Sequence, residues 1–445
     1  MSVFPEGFKE HLSQLHHLNF EEFSQSHATM APVSVRLHPL KGKNLFNELS
    51  KVPWSEFGTY LPSRPDFTLD PKFHAGAYYV QEAASMSLEA ILQQVVDAED
   101  NPCILDLCAA PGGKSTLIAS FLNGNGTLLA NEVIKSRAGI LKENIDRWGY
   151  ANVLVSSNDP KQFSRLKARF DVIVVDAPCS GSGMFRKDPA AMNHWSEEAV
   201  EHCALRQERI LNDVWPALKP GGILIYSTCS YSLQEDEDII DSLIKENNAE
   251  LIKIDKLDNQ NCIIKTELGY RFYPHLSESE GLFISVLRKT DGDLENFHPA
   301  SKSYQLQNEI ASFIAQPSSF AQHKNYLGEN IISTDLLNHI FAFEKHLHLL
   351  KTGILSGELK GKKFIPDHEL AMFVALNPEI KVIDLNLEMA LRYLKKEAIP
   401  NTYNAEGLNL IRFEGLALGW GNALPNRVNN GLPKSWRIRK EISII

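Results

Sequence analysis

From Asn101 to Leu287 the chain alternates short apolar runs with helical patterns, and this alternation limits the fold more than any other feature. Strands that are apolar throughout must be covered on both faces, and parallel pairing with helical crossovers achieves this. The predicted strands are Cys103–Leu107, Thr127–Asn131, Val153–Ser156, Asp171–Asp176 and Ile223–Ser227. A crossover helix is expected before each of the last four. One closes with Glu143–Trp148 ahead of Gly149, and the longest, Glu197–Leu218, is expected to stop at Pro220-Gly221-Gly222. A further helix at Gln234–Asn247 and strands at Leu251–Ile254, Tyr270–Tyr273 and Leu282–Leu287 suggest an antiparallel end. The expected class is α/β, with a doubly wound sheet.

A chain of 445 residues is too long for a single growing core, so several domains are expected. Residues 1–96 mix short helical patterns with Pro-rich loops, and residues 97–290 hold the sheet. The polar stretch Lys289–Ser301 suits a linker. Residues 302–445 suggest one α+β domain or two small ones, with the clearest helix at Leu385–Lys396, where Leu387, Leu391 and Leu394 share a face. No basic start followed by an apolar run opens the chain, and no window nears the eighteen apolar residues of a membrane span, so a cytoplasmic protein without membrane contact is expected. A monomer is expected, although no sequence feature fixes the oligomeric state.

A net charge of −10 argues against indiscriminate binding to nucleic acid, because phosphate attraction needs a basic surface. Any RNA contact must be local. The candidate patches are Arg36–Lys43 (with His38 and Lys41), Arg165–Arg169, Arg186-Lys187 and Lys434–Lys440. The six cysteines, Cys103, Cys108, Cys179, Cys203, Cys229 and Cys262, form no CxxC pair and have no close histidine in sequence. That spacing suggests neither a disulfide scaffold nor a zinc finger, and no metal is expected.

The first strand runs into Asp106-Leu-Cys-Ala-Ala-Pro-Gly-Gly-Lys-Ser115 and then a helix. A glycine turn between strand and helix lets the backbone approach a ligand and aims free N–H groups at it. A phosphate-binding P-loop needs glycine five residues before Gly113, where Cys108 stands, and a dinucleotide fingerprint needs GxGxxG, which is missing. The remaining reading is an adenosyl cofactor, with an acidic residue closing the second strand to hold the ribose hydroxyls. Glu132 occupies that place. Asp159, past the third strand, and Asp176, closing the fourth, fall where the same crevice would be lined, although Asp159 before Pro160 also suits a helix cap.

The fourth strand ends in Asp176-Ala-Pro-Cys-Ser-Gly-Ser-Gly183 and the fifth in Tyr226-Ser-Thr-Cys-Ser-Tyr231. Strands one, four and five are neighbours in doubly wound sheets, so Cys108, Cys179 and Cys229 are candidates for one rim. Buried packing is the plainer reading for Cys103, Cys203 and Cys262. A three-thiol metal site lacks its fourth ligand. Thiols suit methylation of carbon 5 of cytosine, a weak nucleophile, because a thiolate adding to carbon 6 converts the ring to an enamine-like form. An acid near ring nitrogen 3 must then stabilise the charge, and Asp176 is placed for it. A second acid–base group aids release, so one thiol attacks and the other assists.

These segments together, Cys108–Lys114, Asp176-Ala-Pro-Cys-Ser-Gly181 and Thr228-Cys229, resemble the NOL/NOP/Sun family of RNA 5-methylcytosine methyltransferases. The resemblance extends over most of Val33–Leu287. It implies a Rossmann-like class I methyltransferase core, S-adenosylmethionine as cofactor, Cys229 as nucleophile and Cys179 as the releasing residue. It also implies cofactor contacts from Cys108, Ala109, Ala110, Pro111, Gly112, Gly113, Lys114, Glu132, Asp159 and Asp176, with Lys114 helping to organise the catalytic site. Ser34–Leu40 and Phe73–Met86 look like the family's N-terminal RNA-contacting segment. Gly361–His368, Leu416–Trp420 and Asn426–Asn430 look like the RNA-binding extension of bacterial members acting on small-subunit ribosomal RNA, which makes that RNA or the ribosomal subunit the expected partner, ahead of transfer RNA.

Two other readings remain open at this stage. A binding protein on the same fold would have no need of two rim thiols. A DNA cytosine methyltransferase would attack with the Pro-Cys thiol and has no use for Thr228-Cys229. A stacked base cannot present carbon 6 to a thiol, so the target must be single-stranded or flipped. Phe185, Tyr226 and Tyr231 are candidates to stack on it.

Overall fold

The computed structural model describes residues 4–292, 305–361 and 363–441. Its centre is a ten-stranded sheet made of β1 (Cys103–Asp106), β2 (Thr127–Asn131), β3 (Val153–Ser156), β4 (Phe170–Asp176), β5 (Leu218–Thr228), β6 (Ala249–Leu251), β7 (Ile264–Lys265), β8 (Tyr270–Phe272), β9 (Leu282–Lys289) and β10 (Leu349–Thr352). The order is β7-β8-β9-β5-β4-β1-β2-β3-β10, with β6 also paired to β9. The β1/β2, β1/β4, β2/β3 and β4/β5 pairs are parallel, while β9 runs antiparallel to β5. This is the doubly wound core expected from the sequence, including its antiparallel end.

The central strands are buried on both faces, which explains their continuous apolar runs: Ile104, Leu105, Leu128, Leu129 and Val172–Val175 are all within 1% of complete burial. Helices α1 (Gly113–Leu122), α2 (Lys135–Trp148), α3 (Glu197–Val214) and α4 (Glu237–Asn247) connect them. Helix α3 starts at Ser196, whose hydroxyl accepts the Ala199 N–H (3.1 Å), with Glu197 and Glu198 in the first turn. It ends at Val214, earlier than expected. Pro216 lacks the N–H that another turn requires, so the chain passes through a 3₁₀ turn, Trp215–Ala217, and Pro220–Gly222 belong to the irregular start of β5. The connection from β3 to β4 is likewise a 3₁₀ turn, Pro160–Arg165, in place of the expected crossover helix.

Three features of the flanks were not legible in the sequence. Strand Val33–Leu37 pairs antiparallel with both Gly58–Leu61 and Tyr78–Val80, giving residues before the core a sheet of their own. Beyond the core, β10 adds to the edge of β3, so the C-terminal stretch contributes a strand to the central sheet. Lys289, assigned to a linker, is a buried end of β9 whose ammonium donates to the carbonyls of Trp215 and Leu218, and most of the remaining proposed linker lies outside the described residues. The C-terminal part is α+β as expected: a five-stranded sheet in the order Val382–Leu385, Gly407–Phe413, Leu416–Leu424, Arg427–Asn430, Ile399–Pro400, packed with helix Leu387–Leu394. Among the described residues, no helix is long and apolar enough to cross a membrane.

Candidate active site

Register aligns the carboxyl ends of β1, β4 and β5: Asp106 faces Val174, and Asp176 faces Ser227. The loop after β1 turns at Gly112, with φ +117°, where a Cβ would press on Leu141 and Asn144 at 3.3 and 3.4 Å. Only glycine meets both demands. Helix α1 begins at Gly113, and Lys114 extends its ammonium to 2.8 Å from Asp176 Oδ1. Asp176 also accepts the Ser227 hydroxyl (2.7 Å) and keeps 39% of its side chain exposed, so it faces the crevice. Under the loop, Ser115 Oγ donates to Asp106 Oδ2 (2.6 Å) while Asp106 Oδ1 is buried with no hydrogen-bond partner. Burial pushes the Asp106 carboxyl up to about 7.

The two thiols come from adjacent loops. Ala177 N–H donates to Ser227 O (2.8 Å) and Gly183 N–H to Cys229 O (2.7 Å), which lashes the loop after β4 to the loop after β5. Gly183 permits this approach, since a Cβ there would lie 2.7 Å from the Cys229 and Gly281 carbonyl oxygens. The result is a Cys179 Sγ to Cys229 Sγ separation of 3.1 Å. The Cys179 thiol is held well above the usual thiol range, first by its hydrogen bond with Cys229 and then by burial. Cys108 lies in the loop between β1 and α1, where burial first and then the carboxylates of Asp106, Asp176 and Glu132 push its thiol up. Among the described residues, no three His, Cys, Asp or Glu side chains converge as a metal site.

Residues 93–288 match the family described as 16S rRNA methyltransferase RsmB/F, residues 4–83 the N-terminal domain of 16S rRNA methyltransferase RsmF, and residues 380–438 the methyltransferase RsmF PUA domain. The chain is 31% identical to ribosomal RNA small subunit methyltransferase F of Vibrio atlanticus over 97% of each chain. It is 32% identical to the Aeromonas salmonicida protein of the same name, over 97% of this chain and 96% of that one. The chain belongs to the RsmF family. It is thus an S-adenosylmethionine-dependent RNA methyltransferase. The crystal structure of a methyltransferase homologue from Pyrococcus horikoshii is also similar, with 28% identity and a TM-score of 0.54, covering 63% of this chain and 94% of that one.

The residues present fit an adenosyl cofactor. Glu132 closes β2, 3% exposed, with Oε1 accepting the Ile134 N–H (2.9 Å) and Oε2 3.5 Å from Arg137, whose other nitrogen donates to Ala110 O (2.7 Å). Next to it, Val133 and Ile134 are 53% and 49% exposed, an apolar surface of the kind an adenine ring covers. Together with the unpartnered Asp106 oxygen and the start of α1, these residues offer acceptors, donors and an apolar wall around one crevice. Asp159 takes the capping role: its carboxylate accepts the Lys161 N–H (3.0 Å) and lies 3.6 Å from Arg209. Sequence reasoning missed Asp106, Arg137 and the Val133-Ile134 pair. Two large apolar residues directly after Glu132 were the available signal.

Within the patch Arg36–Lys43, Arg36, His38 and Lys41 are structural rather than RNA-facing, while Lys43 is exposed. Arg36, 1% exposed, lies over the Trp148 ring and donates to Gln81 Oε1 (2.7 Å), Thr116 Oγ1 (2.6 Å) and Gly113 O (3.3 Å), bracing the first turn of α1 from the N-terminal sheet. His38 is buried, and Lys41 donates to Arg147 O and Met372 O, both at 2.8 Å. Arg186 forms a buried pair with Glu280 (2.8 Å). Phe185, Tyr226 and Tyr231 are at most 1% exposed, so packing accounts for them and none can stack on a base as placed. Exposed basic groups of the four patches remain at Lys43, Arg165, Lys167, Lys187, Lys434, Arg437, Arg439 and Lys440, the last paired with Asp66.

Proposed function

We propose that this protein methylates carbon 5 of a cytosine in 16S ribosomal RNA through a covalent adduct on Cys229. The observation that carries the reading is the 3.1 Å thiol pair beside the 2.8 Å Lys114–Asp176 ion pair, at the carboxyl edge of the sheet. Bound in the crevice between the β1 loop, Glu132 and Asp176, S-adenosylmethionine supplies an electrophilic methyl group. Cys108–Gly113 and Glu132 hold it, Asp176 borders both it and the base, and Asp159 contributes through the turn it caps.

Cys229 Sγ, as thiolate, adds to carbon 6 of the flipped cytosine, and the C5=C6 electron pair becomes the nucleophile at carbon 5. Lys114 and Asp176 face ring nitrogen 3, where the added charge collects, with the ammonium as the proton-bearing member of the pair. Once carbon 5 is methylated, its proton passes to water, the C5=C6 bond re-forms and the C6–S bond breaks with its electron pair on Cys229. Cys179, held as a thiol, donates its S–H to the departing sulfur. These steps require no metal ion. The exposed basic residues of the C-terminal part and of the loops at Arg165–Lys167 and Lys187 meet the RNA backbone, and the protein works as a cytoplasmic monomer.

Purified protein with S-adenosylmethionine is offered 16S rRNA, assembled small subunits and transfer RNA, and 5-methylcytosine is mapped by bisulfite sequencing. Methylation of one cytosine in 16S rRNA, free or assembled, is the expected result. Methylation of transfer RNA alone overturns the substrate, and no 5-methylcytosine on any of them overturns the reading.

A further inference from the structure

We propose that Glu235 is the positioning residue that fixes the spacing of the two thiols and so couples adduct formation to adduct release; this rests on the covalent reading above. Glu235 lies in the 3₁₀ turn Leu233–Glu235 and is fully buried. Oε1 accepts the Ser180 N–H (2.7 Å) and Gln207 Nε2 (3.3 Å), and Oε2 accepts the hydroxyls of Ser180 and Ser230, both at 2.5 Å. Ser180 directly follows Cys179, and Ser230 directly follows Cys229. Gln207 also donates to Pro178 O (3.0 Å), the residue before Cys179. One carboxylate therefore grips the residue next to each sulfur, and all four of its contacts are acceptances.

The main-chain ties at Ala177 and Gly183 anchor the roots of the two loops, whereas Glu235 acts beside the sulfurs themselves. It carries charge as well as geometry. Cys179 is kept protonated first by its hydrogen bond with Cys229, then by burial, with the negative charges of Cys229 and Glu235 adding to both. Attack on carbon 6 uses Cys229 alone, but release needs the Cys179 S–H within reach of the sulfur that departs. Loosening the clamp should therefore slow release more than attack.

Glu235→Gln tests this, because an amide nitrogen in place of either oxygen faces two donors. Wild type, Glu235→Gln, Cys179→Ala, Cys229→Ala and Glu235→Gln/Cys229→Ala are produced in cells, and RNA that survives denaturation on the protein is quantified. Glu235→Gln should carry several times the wild-type amount of bound RNA, all of it lost in the double variant, with turnover lowered on the order of 100-fold and S-adenosylmethionine affinity unchanged. A merely unfolded variant would show neither adduct nor cofactor binding. Should Glu235→Gln fail to fold, Ser180→Ala, which removes a single hydroxyl from the clamp, must show the same Cys229-dependent accumulation on a smaller scale. Trapping by Cys179→Ala without trapping by the clamp variants overturns the role of Glu235 and leaves the covalent reading standing. No trapping in Cys179→Ala either overturns both.

Discussion

Replacing Glu369 by alanine is expected to destabilise the protein well beyond what an ordinary charge substitution does. Its carboxylate accepts Lys142 Nζ (2.6 Å), Lys351 Nζ (2.5 Å) and the Leu355 N–H (3.1 Å). Lys351, 1% exposed on β10, also lies 2.9 Å from Asp146 on α2, and Lys142 lies 2.8 Å from the same residue. The network thus joins the core helix, the added edge strand and the C-terminal part. Without Glu369, two ammoniums share one carboxylate, one of them out of water, a loss of about 3–5 kcal/mol that lowers Tm by roughly 4 °C in a chain of 445 residues. Thermal unfolding by circular dichroism measures it, and the shift should change little between low and high salt because the network is shielded. Pairing Glu369→Leu with Lys351→Met should recover most of the loss, since no unpaired charge then stays buried. Acid should act on the same network. Against its burial, Lys351 and Lys142 hold the Glu369 carboxyl below its usual range, so its contribution is present above the ordinary glutamate range and fades as pH falls below it. A Glu369→Ala protein melting within about 1 °C of wild type would refute the reasoning.

Arg36→Ala should remove the brace under α1, lower stability by about 3 kcal/mol through its lost buried hydrogen bonds and weaken S-adenosylmethionine binding in calorimetry; unchanged affinity would separate the brace from the cofactor loop. Asp106→Asn tests the buried carboxyl. With its value raised from 3.8 to about 7, the folded state holds a proton that the unfolded chain releases, so this group's stabilising effect is full below pH 3.8 and is lost as pH rises towards 7. The difference between wild type and Asp106→Asn should change by up to about 4 kcal/mol across that window in denaturant titrations, and parallel pH profiles would contradict it.

The core was legible because both determinants of its layout are local. Strands apolar on every residue report two-sided burial, and glycines at Gly112 and Gly149 mark the turns that aim α1 and end α2. The thiol loops were legible because strand order follows from the fold class. What remained hidden depends on contacts across long separations. Arg36 has the composition of a phosphate contact, and only its position under Trp148 and against Thr116 makes it a brace. Glu235 looks like a surface carboxylate of a polar turn until Ser180, Ser230 and Gln207 converge on it. Phe185, Tyr226 and Tyr231 sit next to the right motifs yet turn inward, Phe185 and Tyr231 into an aromatic cluster with the N-terminal helices that no periodicity announces. Strand β10 carries the pattern of any short strand, and its partner lies some 190 residues earlier in the chain.

The most direct test of the account is a denaturing gel of Cys179→Ala protein from cells, beside wild type, Cys229→Ala and the double variant, with sequencing of the attached RNA. Cys179→Ala should carry RNA that resists denaturant, that disappears when Cys229 is also removed, and that maps to one cytosine of 16S rRNA. Trapping by Cys229→Ala in place of Cys179→Ala would contradict the assigned roles, and methylation by every variant with no trapped RNA would contradict the covalent mechanism itself.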